Sequence, residues 1–507
     1  MPPTLTYPGV YIAEVPGGVH PIEGVPTSVT AFIGRAEQGP VDKPVLIHNL
    51  ADYDQQFGGL WADSTMSHSV RHFFRNGGTD AIIVRVQNGG VAATFTFHGE
   101  AGALILEAAN PGSWADNLEI EIDHQDGSPG DDASFNLAIS EVVDGETVME
   151  EDFHELSTRP GDDRCIERVL EQQSDLLRVQ GEMPTGRPNP GPPTARTNGS
   201  DGADIGFSQI ADPSLKPIGR GIWALDNAGI FNLLCIPPFS AEMDVDAETW
   251  TAAQHYCHEK RAMLIIDAPS TWSSPSDVVA GEELTGAVPV RHKNAAVYFP
   301  RVKMANPLKD DQVETFAPCG LIAGTYARTD SQRGVWKAPA GLQAQLVGVD
   351  ELACTVTDPE NDKLNGLGVN CLRSFPDAGD VIWGSRTTVG AHHLASEWQY
   401  VPVRRLALYI EESLYRGMKR VVFEPNDETL WANIRITIAA FMQNLFRAGA
   451  FPGSTPDEAY FVKCDRETMT QTDIDLGVVN IHVGFAPVRP AEFVVIRIRQ
   501  MAGQIQD

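Results

Sequence analysis

The chain of 507 residues is 42% hydrophobic and 21% charged, and it carries a formal net charge of -30 with an isoelectric point near 4.7. That length outgrows a single hydrophobic core and predicts roughly two to four domains. Such acidity argues against a nucleic-acid partner, because neutralising phosphates takes a surplus of Lys and Arg on one face. No apolar run approaches the ~18 residues of a bilayer-spanning helix, which argues against membrane insertion.

The seven cysteines are an odd number scattered through the chain. They make poor material for a disulfide framework and are expected as buried free thiols. The opening MPPTLTYPG lacks the basic start and apolar core of a secretory signal, so synthesis and assembly in a cytoplasm are expected.

Residues 1–24 read as an N-terminal arm, with YPGVYIAEV (7–15) as a short extended segment punctuated by Pro8, Pro16, Gly17 and Gly18. Residues 25–90 then alternate apolar runs with helical stretches: TAFIGRA (30–36), PVLIHNL (44–50), a helix over 66–76 ended by Gly77 and Gly78, and AIIVRV (81–86). The pattern resumes over 213–365 with FNLLCIPP (231–238), a helix over 247–261, MLIID (263–267) and AAVYFP (295–300). Buried strands between helices indicate a layered α/β middle domain with a largely parallel sheet.

Residues 91–212 interrupt it as a β-rich insertion domain, with alternating TFTF (94–97), ALILEA (103–108), LEIEI (118–122) and FNLAI (135–139). Within it, 185–204 is rich in Pro, Gly, Asn and Ser and reads as a flexible surface loop. The last domain, 366–507, is α+β. Leu406, Ile410 and Leu414 mark one helix. Trp431, Ile434, Ile438, Phe441 and Leu445 mark a second, with Asn426 or Asp427 as N-cap and Gly449 past its end. YFVKC (460–464), VVNIHVGF (478–485) and EFVVIRI (492–498) supply strands, the middle one with Val479, Ile481, Val483 and Phe485 on its buried side. The terminal strand belongs to a linker over 491–507.

Chemical signals are weak throughout. His255, Cys257 and His258 crowd one or two helical turns, and no second Cys/His cluster follows at zinc-finger spacing. Asp267 closes a strand in the manner of a magnesium-binding acid, but no GxxxxGK[ST] accompanies it, and a capping role is the simpler reading. Asp267, Ser270 and His292 would make a hydrolase triad only with an elbow motif that the chain lacks. His392 and His393 read as loop or interface residues, and the NGS at 198–200 as a sequon in form only. No catalytic, cofactor or metal site is therefore expected. The distinctive phrases YPGVYIAEV, RGVWKAPAG (333–341), LNGLGVN (364–370) and WGSRT (383–387) spend Gly, Pro and Trp on backbone shape and contact area. Trp336, Pro339 and Arg386 within them are assigned to packing.

The order of these phrases resembles the tail sheath proteins of contractile phage tails and contractile injection systems. The resemblance rests on PGVYIAEV, AFIGRAEQGP (31–40), FFRNGGTDAIIVRV (73–86), PGSWADNLEIEI (111–122), RGVWKAPAG, LNGLGVN, WGSRT, VRRLALYIEESL (403–414), FEPND (423–427), AYFVKC (459–464) and PAEFVV (490–495). The insertion between about 140 and 212 departs from the family's common core.

The resemblance implies a structural subunit of a bacterial phage tail or phage-tail-like particle, assembled in the cytoplasm and released on lysis. Such subunits form a helical homopolymer around an inner tube protein, on a baseplate and below a terminator or cap, and contract to drive the tube through a cell envelope. It also implies a C-terminal domain completed by terminal strands exchanged between subunits. Val10, Tyr11, Ile12, Glu14 and Val15 are placed at one such link, and Phe493, Val494, Val495, Ile496 and Ile498 at the other, with Arg497 and Arg499 as candidates for facing the tube. A terminal strand flanked by Pro and Gly leaves backbone donors and acceptors that strand addition satisfies. A non-contractile assembly subunit and a hydrolase are the alternatives.

Overall fold

The computed structural model describes residues 21–124, 134–143, 145–285, 290–391 and 396–492. It divides into a larger unit, Ser28–Thr329 with Pro339–Gln399, and a smaller one drawn from Met1–Thr27, Asp330–Ala338 and Tyr400–Asp507.

The larger unit holds an eight-stranded sheet in the order 379–382, 369–375, 295–299, 263–267, 233–235, 30–34, 81–85, 44–47. The six inner strands pair in parallel, and an antiparallel partner closes each edge. Every residue of Thr30–Gly34, Ala81–Arg85, Met263–Asp267 and Ala295–Phe299 is buried. That is why these strands read as continuous apolar runs rather than alternating ones: helices cover both faces of a parallel sheet. The strand Val369–Phe375 pairs with 295–299 through Val297↔Val369. LNGLGVN and WGSRT thus lie in and beside this sheet, which extends past residue 366 because Val369, Cys371 and Leu372 complete its core.

Two helices on this sheet cross backbone to backbone. The helix Thr65–Arg75 starts on Ser64, whose hydroxyl accepts from the Ser67 amide, and the helix Cys319–Arg333 packs against it through glycines. A Cβ at Gly320 would lie 2.0 Å from the Ser69 carbonyl oxygen, and one at Gly324 would lie 2.4 Å from that of Phe73. Arg386 is 1% exposed and ties the WGSRT loop down, donating to the carbonyls of Asn365 (3.0 Å) and Gly390 (3.2 Å), while its own amide donates to Asn370 Oδ1 at 2.6 Å.

Residues 91–212 form two small antiparallel sheets, one of 94–99, 102–108, 177–179 and 195–197, the other of 118–123, 134–143 and 146–157. They enclose a core of their own around Phe95, Phe97, Leu106, Ile120, Leu137, Ile139 and Leu170. The segment 185–204, expected as a flexible surface loop, is paired along its backbone. Asn189 N donates to His98 O (2.9 Å), Gly191 N to Ile122 O (2.7 Å), Thr194 N to Thr96 O (2.8 Å) and Ser200 N to Val91 O (2.9 Å). Ala195–Thr197 pairs with the 94–99 strand as a further strand. Composition does not show this, because the segment is held by its backbone and needs few apolar side chains.

In the smaller unit the helices Val401–Met418 and Glu428–Arg447 pack Leu406, Ile410, Trp431, Ile434, Ile438, Phe441 and Leu445 into one cluster. Asp427 caps the second helix, accepting from the Leu430 amide at 2.8 Å.

Gly320→Ala gives a test with a definite sign. At an open helical site the change would stabilise by about 1 kcal/mol. Here we expect it to lower the urea midpoint, because the added methyl meets the Ser69 backbone rather than a movable side chain.

Candidate functional site

The smaller unit ends in a hairpin that is unusually short of partners. Tyr460–Lys463 pairs antiparallel with His482–Phe485, in the register Tyr460↔Phe485, Phe461↔Gly484, Val462↔Val483 and Lys463↔His482. Among the described residues this sheet has two strands only, so each strand presents one backbone edge without a ladder partner. An isolated hairpin of this length is marginal in water. It is held from one side by the helix 428–447: the Tyr460 hydroxyl donates to Ala439 O (3.3 Å) and bonds Gln443 Oε1 (2.9 Å), while the Phe451 ring meets those of Tyr460 and Phe485 at 6.1 and 5.7 Å. Val479, Ile481, Val483 and Phe485 are all partly buried against this core, matching the alternation in the sequence. The strand itself begins only at His482, later than the sequence pattern suggested.

On the other side Phe461 is 53% exposed and lies over Gly484, where a Cβ would come 2.2 Å from its ring. Half-covered apolar groups beside open strand edges are what a strand-adding partner needs.

The root of the N-terminal segment is fastened to the helix 401–418. Ile22 is buried against Gly417, where a Cβ would come within 2.8 Å of it, and Gly24 sits where a Cβ would collide with the Tyr409 hydroxyl at 1.9 Å. The Val25 amide donates to Ser413 Oγ at 3.2 Å. Arg405 Nη2 donates to Thr27 O at 2.9 Å and, with Nη1, forms a two-pronged pair with Asp330 at 2.6 and 2.9 Å. Both side chains are nearly inaccessible, at 3% and 4%. The other terminal segment is held at Glu492, which accepts from the Tyr400 hydroxyl at 3.1 Å. The linkage residues Val10, Tyr11, Ile12, Glu14, Val15, Phe493, Val494, Val495, Ile496 and Ile498, and the basic Arg497 and Arg499, lie outside the described residues, as do His392 and His393.

The sequence reading passed over Arg405. Its signal was available: two adjacent arginines inside the apolar stretch opening the helix 401–418, since Arg is seldom buried without a partner.

The residues that hinted at chemistry are engaged structurally. Asp267 caps the helix 319–333, its Oδ1 accepting from the Cys319 amide at 2.8 Å, and burial pushes its carboxyl up to about 6. Ser270 gives its hydroxyl to Asp244 Oδ2 at 2.8 Å, and His292 Nδ1 accepts from the Asn294 amide at 3.0 Å. On the helix Ala247–Glu259, His255 is exposed and pairs with Glu259 at 3.3 Å, Cys257 is buried with its thiol pushed up by burial, and the His258 ring packs on His292 at 5.1 Å. The described residues contain no group of three or more His, Cys, Asp or Glu placed to hold a metal ion.

Comparisons with known proteins bear on this architecture. Residues 227–388 match the model of the phage tail sheath protein central domain and 395–501 that of the phage tail sheath C-terminal domain, together more than half of the chain. The tail sheath protein of Burkholderia phage BcepMu is 25% identical over 476 residues, spanning 88% of this chain and 87% of that protein. The tail sheath protein of Vibrio phage KVP40 is 31% identical over 156 residues, 28% of this chain and 23% of that one.

Among solved structures, the sheath complex of an extracellular contractile injection system (PVC) in its contracted state superposes with a TM-score of 0.58 at 22% identity, covering 98% of both chains. The anti-feeding prophage helical sheath in its contracted state gives 0.57 at 24%, covering 98% and 100%. The sheath tail protein from Listeria innocua gives 0.61 at 12%, covering 92% and 96%. At these identities the structures speak for a shared fold. The matched domain models and the near full-length relative say more: the chain belongs to the phage tail sheath family.

Two substitutions test the residues described above. Arg405→Ala leaves Asp330 buried without its partner and is expected to cost about 3–5 kcal/mol in equilibrium unfolding, with new proteolytic cleavage near residues 21–27. Asp267→Asn tests the cap through pH. An unfolded Asp titrates near ~3.9, so between there and about 6 the native state holds a proton the unfolded chain has released. Native stability from this group is thus greatest below the unfolded pKa and is lost as pH rises through the folded one. Asn retains a capping oxygen, so the variant should lose less stability than the parent between those limits, by on the order of 1–3 kcal/mol.

Proposed function

We propose that this protein is the structural subunit of a contractile sheath, polymerising helically around an inner tube and contracting to drive that tube through a target cell envelope. The observation that carries the reading is the hairpin whose two strands, among the described residues, each have one edge without a ladder partner, in the unit that holds both terminal segments. The residues 10–15 of one neighbour and 493–498 of another add strands to this hairpin and complete a sheet across three subunits. Each backbone hydrogen bond contributes only ~1 kcal/mol net, but a strand supplies several, and each subunit both gives and receives strands. Links of this kind tolerate rotation and sliding of whole subunits without dissociation.

Contraction is a population shift between two lattice packings, the compact one gaining contacts between domains, and it needs no nucleotide hydrolysis. The subunit has no enzymatic role, and its partners are further copies of itself, the inner tube, and the baseplate and cap that end the polymer. Arg497 and Arg499 meet an acidic tube face. Assembly takes place in a bacterial cytoplasm, and the insertion 91–212 lies on the outer surface, apart from the core domains 25–90 with 213–365 and 366–507.

Negative-stain microscopy of the purified chain should show hollow tubes of regular cross-section. Deletion of residues 1–16 should leave a folded monomer, by circular dichroism and size exclusion, that no longer builds them. Tubes of normal length from the deletion variant would remove the strand-exchange model.

A further inference from the structure

The parallel sheet of the larger unit has a topological switch point. From the strand 30–34 the chain continues to 81–85 on one side, then returns after the insertion to 233–235 on the other side and proceeds outward through 263–267 and 295–299. In open parallel sheets the crevice outside the carboxyl ends of the strands, at such a reversal, is where small ligands bind.

A cavity of about 120 Å³ occupies that place. By the ~10–15 Å³ that one water takes on this measure, it has room for several waters. One wall is the first turn of the helix 65–75, with Ser64, Thr65, His68 and Ser69; Pro238 and Ser240 follow the strand 233–235, and Arg301 follows 295–299. The Ser64 hydroxyl donates to Arg35 O, just beyond the strand 30–34, at 2.5 Å, and the Thr65 hydroxyl donates to Pro238 O. The two strands flanking the switch point are thereby joined at the cavity wall.

Two independent features make this cavity more than a packing gap. His68 lines it while only 6% exposed, and its contacts are ring contacts, to Phe316 at 4.8 Å and His72 at 6.4 Å. No protein hydrogen bond engages its nitrogens among the described residues. A buried imidazole in that state is a polar group waiting for a partner. The two cations of the lining are each paired, Arg301 with Asp244 and Lys309 with Glu314, so the side chains balance in charge, and the bias toward an anion comes from the positive end of the dipole of the helix 65–75. Glu314 is held below the usual carboxylate range by Lys309 and Asn306. Being ionised, it accepts rather than donates, and it suits a ligand that keeps a hydroxyl.

We propose that this cavity binds a small, partly protonated oxyanion of the size of inorganic phosphate, contacted by His68, Lys309 and the first turn of the helix 65–75. The anion bridges the elements that follow the two strands flanking the switch point, 30–34 and 233–235, and stiffens the sheet at its reversal. The site is independent of the terminal segments and of polymerisation.

Equilibrium dialysis of the full chain against radiolabelled inorganic phosphate, with chloride holding the ionic strength constant, tests this directly. We expect saturable binding of one phosphate per chain, weakened about tenfold or more by His68→Ala and by Lys309→Gln, since each removes a hydrogen bond to a charged group. Lys309 is half exposed, so its variant remains folded even where removal of His68 disturbs the core. Absence of saturable binding by the parent chain overturns the proposal, and so does undiminished binding by the folded Lys309→Gln variant.

Discussion

A strand edge without a partner among the described residues is the constraint on which the smaller unit depends. Four-residue strands at 460–463 and 482–485 bury one side against a helix and leave Phe461, Lys463 and His482 on or toward the other. Water can satisfy such an edge, but long open edges invite uncontrolled pairing, and folds normally blunt or cover them. Here the same unit contributes both chain-terminal segments. The strand exchange proposed above would cover these edges with identical copies of the chain. In that proposal a backbone pairing both protects the subunit from nonspecific pairing and links it to its neighbours.

The root of the N-terminal segment is built for load. Exposed ion pairs contribute little, with a median near ~0–1 kcal/mol. Arg405 and Asp330 are instead buried and joined at two points, and the same guanidinium holds the Thr27 carbonyl. A buried pair is weak evidence of net stability, since removing two charges from water offsets most of the attraction. What it does supply is a fixed geometry, because any displacement leaves an uncompensated charge in a dry interior. Gly24 and Gly417 add a steric condition to the electrostatic one, since neither position has space for a Cβ. Residues 21–27 therefore leave the helix 401–418 in a defined direction, as the proposed link would need.

The sheet of the larger unit was readable from sequence because its strands are buried on both faces and its helices have clear ends. The runs at 30–36, 81–86, 263–267 and 295–300 and the helix near 66–76 all appear where apolar content and Gly placed them. The boundary near 366 was not readable, because apolar content alone does not tell which sheet Val369–Phe375 joins; that is decided by its pairing with 295–299. The backbone pairing of 185–204 was not readable either, since its hydrogen bonds leave no trace in side-chain composition. Of the candidate site, the buried side of one strand was legible as alternation in 478–485, while its pairing with 460–463 was not. The strap of Arg405 was not, since the distance in sequence from Arg405 to Asp330 and Thr27 hides it.

Net charge bears on how a polymer of this subunit stores energy. Copies carrying -30 each repel at long range, and the repulsion is screened over about 8–10 Å at moderate salt. Compaction thus works against charge and must be driven by short-range contact between domain surfaces, which fall off faster with distance than the repulsion does. Two packings separated by such opposing terms form a bistable pair rather than a continuum, as expected of a device that waits extended and then contracts. The proposed strand links suit both states, because their hydrogen bonds would be made within the sheet and be unaffected by the spacing between subunits. On that proposal the energy of contraction lies in the surfaces that meet, and the strands keep the meeting surfaces in register.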